Sequence, residues 1–412
     1  MPLIQPFRGL RPVTKHASDV VAPPYDVLNT DEARERVKGH PLSFLHISKP
    51  EIDLPKGTDP YGEEVYKKGA ENLQKLIKGN ILMRDDKACY YVYRLIMGDH
   101  KQTGLVVTAS VADYDTNRIR KHEYTRPDKE DDRVRQIDAL NAQTGPVFLT
   151  YRYNKIVQAI TDKVSKTNPI YDLTADDGVK HTIWLVSDAE DINTLTSTFD
   201  DMECLYIADG HHRSASASRI AAQRNDGKEE TGNAAHDYFL SVIFPDNQMQ
   251  ILDYNRVITD LNGLSENELI EKVKSHFSLQ KVSSVYKPQK SKEFSMYLKG
   301  QWYKLQIKPE LIPENDPVAS LDISLLQNNL IAPLLGISDP RRDKRIDFVG
   351  GIRGLSELEK RVDSGEMQIA FALYPTSLKQ LMDVADANEV MPPKSTWFEP
   401  KLADGLVSHV LD

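Results

Sequence analysis

The chain has 412 residues, 40% of them hydrophobic and 27% charged, which is typical of a folded globular protein with more than one core. Its 52 basic and 61 acidic side chains give a net charge of −9, which argues against a protein that coats nucleic acid. No apolar run approaches the roughly 20 residues that cross a bilayer, and the N-terminus lacks the pattern of a signal peptide. Because Cys89 and Cys204 both lie in apolar runs, we expect buried thiols in a cytoplasmic protein.

Residues 1–80 are expected to form an ordered arm that packs on a core. The backbone must be extended over 20–28, because Pro23 and Pro24 fix its dihedral angles. Capping residues from Asn29 predict a short helix, and apolar periodicity predicts a strand over 40–47 and a helix over 61–79.

Residues 81–230 are expected to form a mixed α/β core, because predicted strands alternate with helices there. β-branched and aromatic residues predict a hairpin of strands 88–96 and 101–111. Helices are predicted near 129–142, 154–166 and 193–198, with strands over 147–151, 182–186 and 204–208.

Residues 231–412 are expected to form a separate α+β lobe after a polar surface loop at 225–233. Its predicted strands are 238–244, 249–258, 294–298, 302–307 and 367–374, and its predicted helices begin near 265, 322 and 355. The predicted fold is thus mixed α+β, with an N-terminal arm, a core and a C-terminal lobe.

The most chemically dense stretch is the turn between the predicted strand 204–208 and the small-residue helix that follows. It places Asp209, Gly210, His211, His212 and Arg213 in sequence. Glycine lets the backbone approach a ligand closely, and a helix N-terminus offers free N–H groups to an anion. Asp209 could hold a metal ion while the His and Arg side chains hold phosphate oxygens. In the alternative interpretation, Asp209 only caps the helix and the histidines lie on the surface.

A second charged stretch lies over 118–135 and contains His122, Glu123 and Arg133. The interruption at Pro127 places His122 and Glu123 in a loop before a helix. Glu123 is then either one member of a salt-bridged surface or a carboxylate directed at the same cavity as Asp209.

Three further residues are candidates for lining the site, and each of them lies close to prolines in the sequence. Tyr25 and Asp26 come directly after two prolines, and Lys394 lies between prolines near the C-terminus. Proline holds such segments extended, which is suitable for lining a cavity.

The chain resembles, along nearly its whole length, a family of bacterial and archaeal proteins catalogued as a domain of unknown function. The resemblance is carried by the Pro-Pro-Tyr-Asp segment within 21–27, Pro-Leu-Ser-Phe-Leu at 41–45, His-Glu at 122–123, Gly-Pro-Val-Phe at 145–148, Ala-Asp-Gly-His-His-Arg at 208–213 and Met-Pro-Pro-Lys-Ser-Thr at 391–396.

Residues 120–220 also resemble, more remotely, the ParB/sulfiredoxin superfamily and above all its archaeal free-serine kinase branch, with an insertion between 151 and 204. This resemblance implies that Glu123 acts as the base on a hydroxyl group and that Asp209 orients that hydroxyl or binds Mg²⁺. It implies nucleotide or phosphate contacts by a larger set of residues, namely Gly210, His211, His212, Arg213, Ser214 and Arg133, with His211 also catalytic. No cysteine stands within the turn motif, so sulfinic-acid reduction is not expected.

We therefore expect a kinase that uses Mg²⁺ and a purine nucleotide, ATP or ADP, to phosphorylate a small hydroxyl compound, first of all L-serine. His122, Tyr25, Asp26 and Lys394 are expected to line the substrate site. Nucleic-acid and membrane partners are not expected, and a homodimer is left open. One alternative is a nucleotide-gated, ParB-like binding module without turnover, and another is a metal-dependent hydrolase that uses the two histidines and Asp209.

Overall fold

The computed structural model describes residues 1–226, 232 and 234–412. The described chain folds into two compact units, the first made of Met1–Met249 and Pro400–Asp412 and the second of Gln250–Glu399. The first unit therefore contains both the predicted arm and the predicted core, together with strand residues 238–245 that the sequence placed in the C-terminal lobe. The predicted loop at 225–233 lies largely outside the described residues.

The first unit is built on a mixed sheet. The strands of this unit, up to residue 245, are β1 (Ile4–Gln5), β2 (Leu10–Pro12), β3 (Leu82–Arg84), β4 (Tyr90–Met97), β5 (His100–Ser110), β6 (Ile119–Arg120), β7 (Ala142–Gln143), β8 (Val147–Tyr151), β9 (Tyr171–Thr174), β10 (Lys180–Val186), β11 (Leu205–Asp209) and β12 (Tyr238–Pro245). The main sheet has the order β6-β11-β8-β12-β5-β4-β10-β9, and β1 also pairs with β5. Strand β11 is parallel to β6 and antiparallel to β8.

Helices cover this sheet and form the arm. They are α1 (Ala17–Val20), α2 (Thr30–Arg36), α3 (Leu45–Ser48), α4 (Glu63–Lys78), α5 (Val111–Asp115), α6 (Pro127–Leu140), α7 (Lys155–Val164), α8 (Ala189–Asp200) and α9 (His211–Asn225). The core of the sheet contains the fully buried Tyr90, Phe199 and Phe239. Burial of each such side chain contributes roughly 1.5–3 kcal/mol.

The hairpin predicted over 88–111 is confirmed as β4 and β5, whose aromatic and β-branched side chains suit a pleated, buried surface. The strand predicted over 40–47 is wrong, because this segment ends in helix α3. Leu45 and Ile47 are both buried in the arm. A short apolar run is compatible with either a strand or a buried helix, and packing decides between them.

The second unit has an antiparallel sheet with helices. Its strands are β13 (Gln250–Leu252), β14 (Tyr254–Ile258), β15 (Phe277–Val282), β16 (Glu293–Leu298), β17 (Gln301–Ile307), β18 (Ile346–Gly350), β19 (Ile369–Leu373) and β20 (Trp397–Glu399), and its helices are α10 (Glu266–Val273), α11 (Asp322–Leu326), α12 (Ala332–Leu335), α13 (Ser356–Asp363) and α14 (Leu378–Asp386). The main sheet has the order β15-β17-β16-β19-β14-β18. The predicted mixed α+β fold class is confirmed. Among the described helices, none is both long and apolar enough to cross a bilayer.

The last residues return to the first unit and bring the C-terminal segment beside the arm. Strand β21 (His409–Val410) pairs with β7. Upstream of it, Ala22 and Asp404 form an antiparallel bridge with backbone hydrogen bonds of 3.1 and 2.9 Å. This pairing fixes the extended Pro-Pro segment of the arm against residues that lie almost at the end of the chain.

Candidate active site

The turn between β11 and α9 is an uncapped helix N-terminus. Gly210 has φ +96° and ψ 28°, a left-handed conformation that favours glycine. A Cβ atom at this position would lie 3.4 Å from the Cα atom of Val147. The amides of Arg213 and Ser214 donate to the carbonyl of Gly210, which itself has no side chain to cap the first turn. The first N–H groups of the helix are therefore suited to bind an anion.

Asp209, at the end of β11, is held ionised by cations. Lys401 Nζ donates to Asp209 Oδ2 at 3.1 Å, and the Asp209 side chain is 39% exposed. Burial would raise the pKa of the Asp209 carboxyl, but Lys401, Arg213 and His211 together hold it well below its usual range. The turn thus presents a permanent carboxylate beside the helix N-terminus.

His211 lies between Asp209 and Glu123. Its Nε2 atom accepts a hydrogen bond from the backbone N–H of His122 at 3.4 Å, and its Nδ1 atom lies 3.7 Å from Glu123 Oε2. Burial lowers the pKa of His211 well below its usual range, and the neighbouring His122 adds to the effect. The neutral ring therefore carries its proton on Nδ1, which faces the Glu123 carboxylate.

His212 fixes the other side of the same loop. Its Nε2 atom accepts from the backbone N–H of Arg126 at 3.0 Å. Burial lowers the pKa of His212, which favours the neutral ring that this hydrogen bond needs. The two imidazoles thus hold the loop backbone on both sides of Glu123, whose own side chain is 54% exposed. The predicted phosphate contacts of His211 and His212 stay predictions.

For the kinase that the sequence predicts, we expect His212→Ala to lower turnover several-fold while changing the dissociation constant for nucleotide by less than a factor of two. The variant removes the acceptor for Arg126 N–H and frees the Glu123 loop, but it leaves the cations Lys401 and Arg213 beside the turn in place. Steady-state kinetics and calorimetric titration with nucleotide would measure the two effects, with His100→Ala at the start of β5 as control. A loss of nucleotide affinity larger than the loss of turnover would contradict this role.

Two predicted site residues, His122 and Ser214, are buried inside the protein. His122 is 2% exposed, and its ring centroid lies 4.5 Å from that of His211. Burial lowers the pKa of His122 to about 4, and its Nδ1 atom has no hydrogen-bond partner among the described residues. The buried Ser214 hydroxyl donates to the carbonyl of His211 at 3.0 Å. Ser214 therefore closes the first turn of α9, and its predicted phosphate contact stays a prediction.

Arg213 links the turn to the arm. Its guanidinium donates to the carbonyl of Pro146 at 2.8 Å and to Asp26 at 3.0 Å, and its side chain is only 12% exposed. It lies 5.4 Å from the ring centroid of Tyr25, while Arg133 lies 4.1 Å from the same ring. The structure thus brings Tyr25, Asp26, Arg133 and Arg213 together, as a packed cluster behind the turn.

Asp404 completes this cluster and was not predicted from the sequence. Burial raises the pKa of the Asp404 carboxyl to about 7 and Asp26 adds to the rise, while Arg213 and Arg133 oppose it. The signal that could have found it is an Asp-Gly pair at 404–405, shortly after Pro400 and Lys401 near the chain end. Such a pattern is common in surface turns, so it indicates no site by itself.

Asp404 should make stability fall as pH rises. An unfolded Asp has a pKa of about 4, whereas the folded chain holds its Asp404 proton up to a pKa of about 7. The folded state therefore binds more protons between these values, and the stability contributed by Asp404 is lost across that window. Relative to the wild type, Asp404→Asn should gain stability between pH 5 and pH 8 in urea unfolding. The stability of Asp99→Asn, a variant in an exposed turn, should change with pH as that of the wild type does. If the stability of Asp404→Asn also changed with pH as that of the wild type does, the raised pKa assigned to Asp404 would be contradicted.

Lys394 belongs to the second unit. Its Nζ atom lies 5.7 Å from the ring centroid of Tyr254, and its carbonyl accepts a hydrogen bond from the buried Arg256 at 2.9 Å. Its predicted place at the substrate site stays a prediction. In the part of the chain that the structure describes, no three His, Cys, Asp or Glu side chains are grouped as a metal centre.

Known structures give low-scoring similarities. The chain is 12% identical to a free serine kinase in complex with AMP, with a TM-score of 0.34, and the match covers 71% of this chain and 86% of that one. A conserved hypothetical protein from Pyrococcus furiosus is 14% identical at a TM-score of 0.34, with coverage of 73% and 94%. SbnI with a C-terminal truncation from Staphylococcus aureus is 12% identical at 0.36, with coverage of 72% and 84%.

No curated protein matches the chain. A family model described as "Protein of unknown function (DUF1015)" matches residues 4–324. This match spans most of the chain, including the arm, the β11–α9 turn and the loop that carries Glu123. The chain therefore belongs to the DUF1015 family.

Proposed function

We propose that this protein is a small-molecule kinase that transfers phosphate from a purine nucleotide, ATP or ADP, to a hydroxyl compound. The observation that carries the proposal is the position of Glu123, whose loop is held by His211 and His212 directly beside the open N-terminus of α9. A carboxylate base and an anion site are the two parts that phosphoryl transfer to a hydroxyl needs.

In this proposal the nucleotide phosphates bind at the first N–H groups of α9. Glu123 accepts the proton of the substrate hydroxyl as that oxygen forms its bond to the terminal phosphorus. The bond between this phosphorus and the bridging oxygen breaks, and the shortened nucleotide leaves with the electron pair. The Nδ1–H group of the neutral His211 faces the Glu123 carboxylate and orients it.

This assignment departs from the roles that the resemblance implies. His211 and His212 act as positioning residues, since each ring accepts a backbone hydrogen bond. Arg213 positions the turn against the arm, since its guanidinium donates to Asp26 and to the carbonyl of Pro146. Positive charge at the phosphates then comes from the helix N-terminus, from Lys401 and from a bound cation.

Mg²⁺ fits this site through one protein carboxylate. Asp209 is ionised and partly exposed at the turn, and Mg²⁺ in kinases is commonly held by one or two carboxylates and the substrate phosphates. When bound, it would neutralise the charge that develops on the phosphate oxygens. Asp209 would be its protein ligand.

L-Serine is the first candidate for the acceptor, on the resemblance of residues 120–220 to the free-serine kinase branch. A thermal-shift series with AMP, ADP and ATP, followed by chromatographic assay of O-phosphoserine with Mg²⁺ and L-serine, tests the proposal. We expect stabilisation by nucleotide and formation of phosphoserine. Stabilisation without any phosphorylated product from serine or other small hydroxyl compounds would contradict it, and would favour a nucleotide-gated binding module.

A further inference from the structure

An open cleft in the first unit lies next to the candidate active site. It is bounded by the arm, by the turn that joins β9 to β10, and by residues 401–403. Lys401 belongs to both places, because it lines the cleft and donates to Asp209 at 3.1 Å. Lys401 therefore connects the cleft to Asp209, and a ligand in the cleft could extend along this lysine to the N-terminus of α9.

One wall of the cleft is apolar and rigid. It includes Val21, Pro23, Pro24 and Leu402. The prolines have fixed backbone angles, and the bridge between Ala22 and Asp404 ties this segment to the chain upstream of β21. A preformed apolar wall is suited to the face of a planar heteroaromatic ring.

The other walls carry charges of both signs. Asp19 and Asp177 line the cleft, as do Arg36 and Asp176, whose side chains form an ion pair of 3.2 Å. Carboxylates of this kind hydrogen-bond to ribose hydroxyl groups in other nucleotide sites. The turn that supplies Asp176 and Asp177 lies in the insertion that separates this chain from the free-serine kinase pattern.

His181 adds a fixed polar group at the base of the cleft. It is 3% exposed, and its Nδ1 atom lies 2.6 Å from the hydroxyl of Tyr93. That hydroxyl also accepts from the backbone N–H of Ala403 at 3.4 Å, so the Tyr93–His181 pair is fixed to the segment that forms one wall of the cleft.

We propose that this cleft binds the base and ribose of the nucleotide, and that Lys401 binds its phosphates and directs them to the N-terminus of α9. The inference rests on the proposed function and specifies where its nucleotide lies. The lining supports a nucleotide, because an apolar wall, carboxylates and a lysine toward Asp209 suit a base, a ribose and phosphates in turn. Lys401 is a binding residue in this account, and the insertion and the C-terminal segment together form the nucleotide pocket.

Two variants separate the parts of the pocket. Ala175→Trp places a large side chain in the cleft, and Lys401→Met removes the cation beside Asp209. Calorimetric titration with ADP and with adenosine, which has no phosphate, measures each part. Ala175→Trp should weaken both ligands more than tenfold, whereas Lys401→Met should weaken ADP more than tenfold and adenosine less than twofold. The controls Asp99→Trp and Lys101→Met, both at exposed positions, should bind like the wild type.

Each other outcome overturns the inference in a distinguishable way. If the wild type binds nucleotide and both variants bind it equally well, the cleft is not the nucleotide pocket, while the proposed function stands. If Ala175→Trp instead raises only the KM for the hydroxyl substrate, the cleft holds the acceptor. If the wild type binds neither ADP nor adenosine, the proposed function and the inference both fail. Thermal unfolding of each variant ensures that the binding data refer to folded protein.

Discussion

Glu123→Gln is expected to lower turnover by a factor of about 10²–10⁴, the usual contribution of a general base. The amide keeps the size of the side chain but cannot accept a proton from the substrate hydroxyl. Nucleotide affinity should stay within a factor of two, because in the proposed function the helix N-terminus and not Glu123 binds the phosphates. Single-turnover kinetics at saturating nucleotide, with calorimetric titration of the same sample, would measure both quantities.

Glu203→Gln is a matched control for this variant. Glu203 forms an ion pair of 2.9 Å with Arg120 of β6, and the Glu203 side chain is 84% exposed. It should behave like the wild type in both measurements. Loss of nucleotide affinity together with turnover in Glu123→Gln would indicate that Glu123 supports the loop structurally, and would contradict its role as the base.

Arg213→Met is expected to destabilise the protein by about 1–3 kcal/mol, the usual cost of leaving buried hydrogen-bond partners unsatisfied, since the Asp26 side chain is 45% exposed and solvent screens that ion pair. Methionine preserves much of the apolar volume but removes the cation that acts on Asp26 and Asp404 and the donor to the carbonyl of Pro146. The effect should be largest above pH 7, where Asp404 is ionised. Urea unfolding at pH 8 would measure the change in the free energy of unfolding.

Arg219→Met on the same helix is the control. Arg219 pairs with Glu130 and Asp131, but its side chain is 39% exposed, so solvent screens these pairs. Its loss should cost about 0–1 kcal/mol. If Arg213→Met cost no more than Arg219→Met while nucleotide binding was abolished, Arg213 would be a phosphate contact after all.

Local sequence predicts the β11–α9 turn well, because the strand, the glycine turn and the helix each depend on residues that are close together in the chain. The apolar run 204–208, the glycine at 210 and the small residues after it each favour the observed conformation. The β4–β5 hairpin is predictable for the same reason. The strand expected over 40–47 fails because a short apolar run does not distinguish a strand from a helix buried by tertiary packing.

The chemistry of the side chains in the turn is less predictable, because it depends on partners far along the chain. His212 meets the amide of Arg126 across 86 positions, and Arg213 meets Asp26 across 187. These contacts come from residues that a linear motif does not include, so the motif does not show which partners its side chains have. Lys401 meets Asp209 across 192 positions, so no local pattern identifies it.

The most direct test of the account follows the terminal phosphate of a labelled purine nucleotide in the presence of Mg²⁺ and L-serine. We predict that the label appears on the serine oxygen, and that Glu123→Gln abolishes this transfer while still binding the nucleotide. Nucleotide binding by the wild type with no label on serine or another small hydroxyl compound would contradict the account.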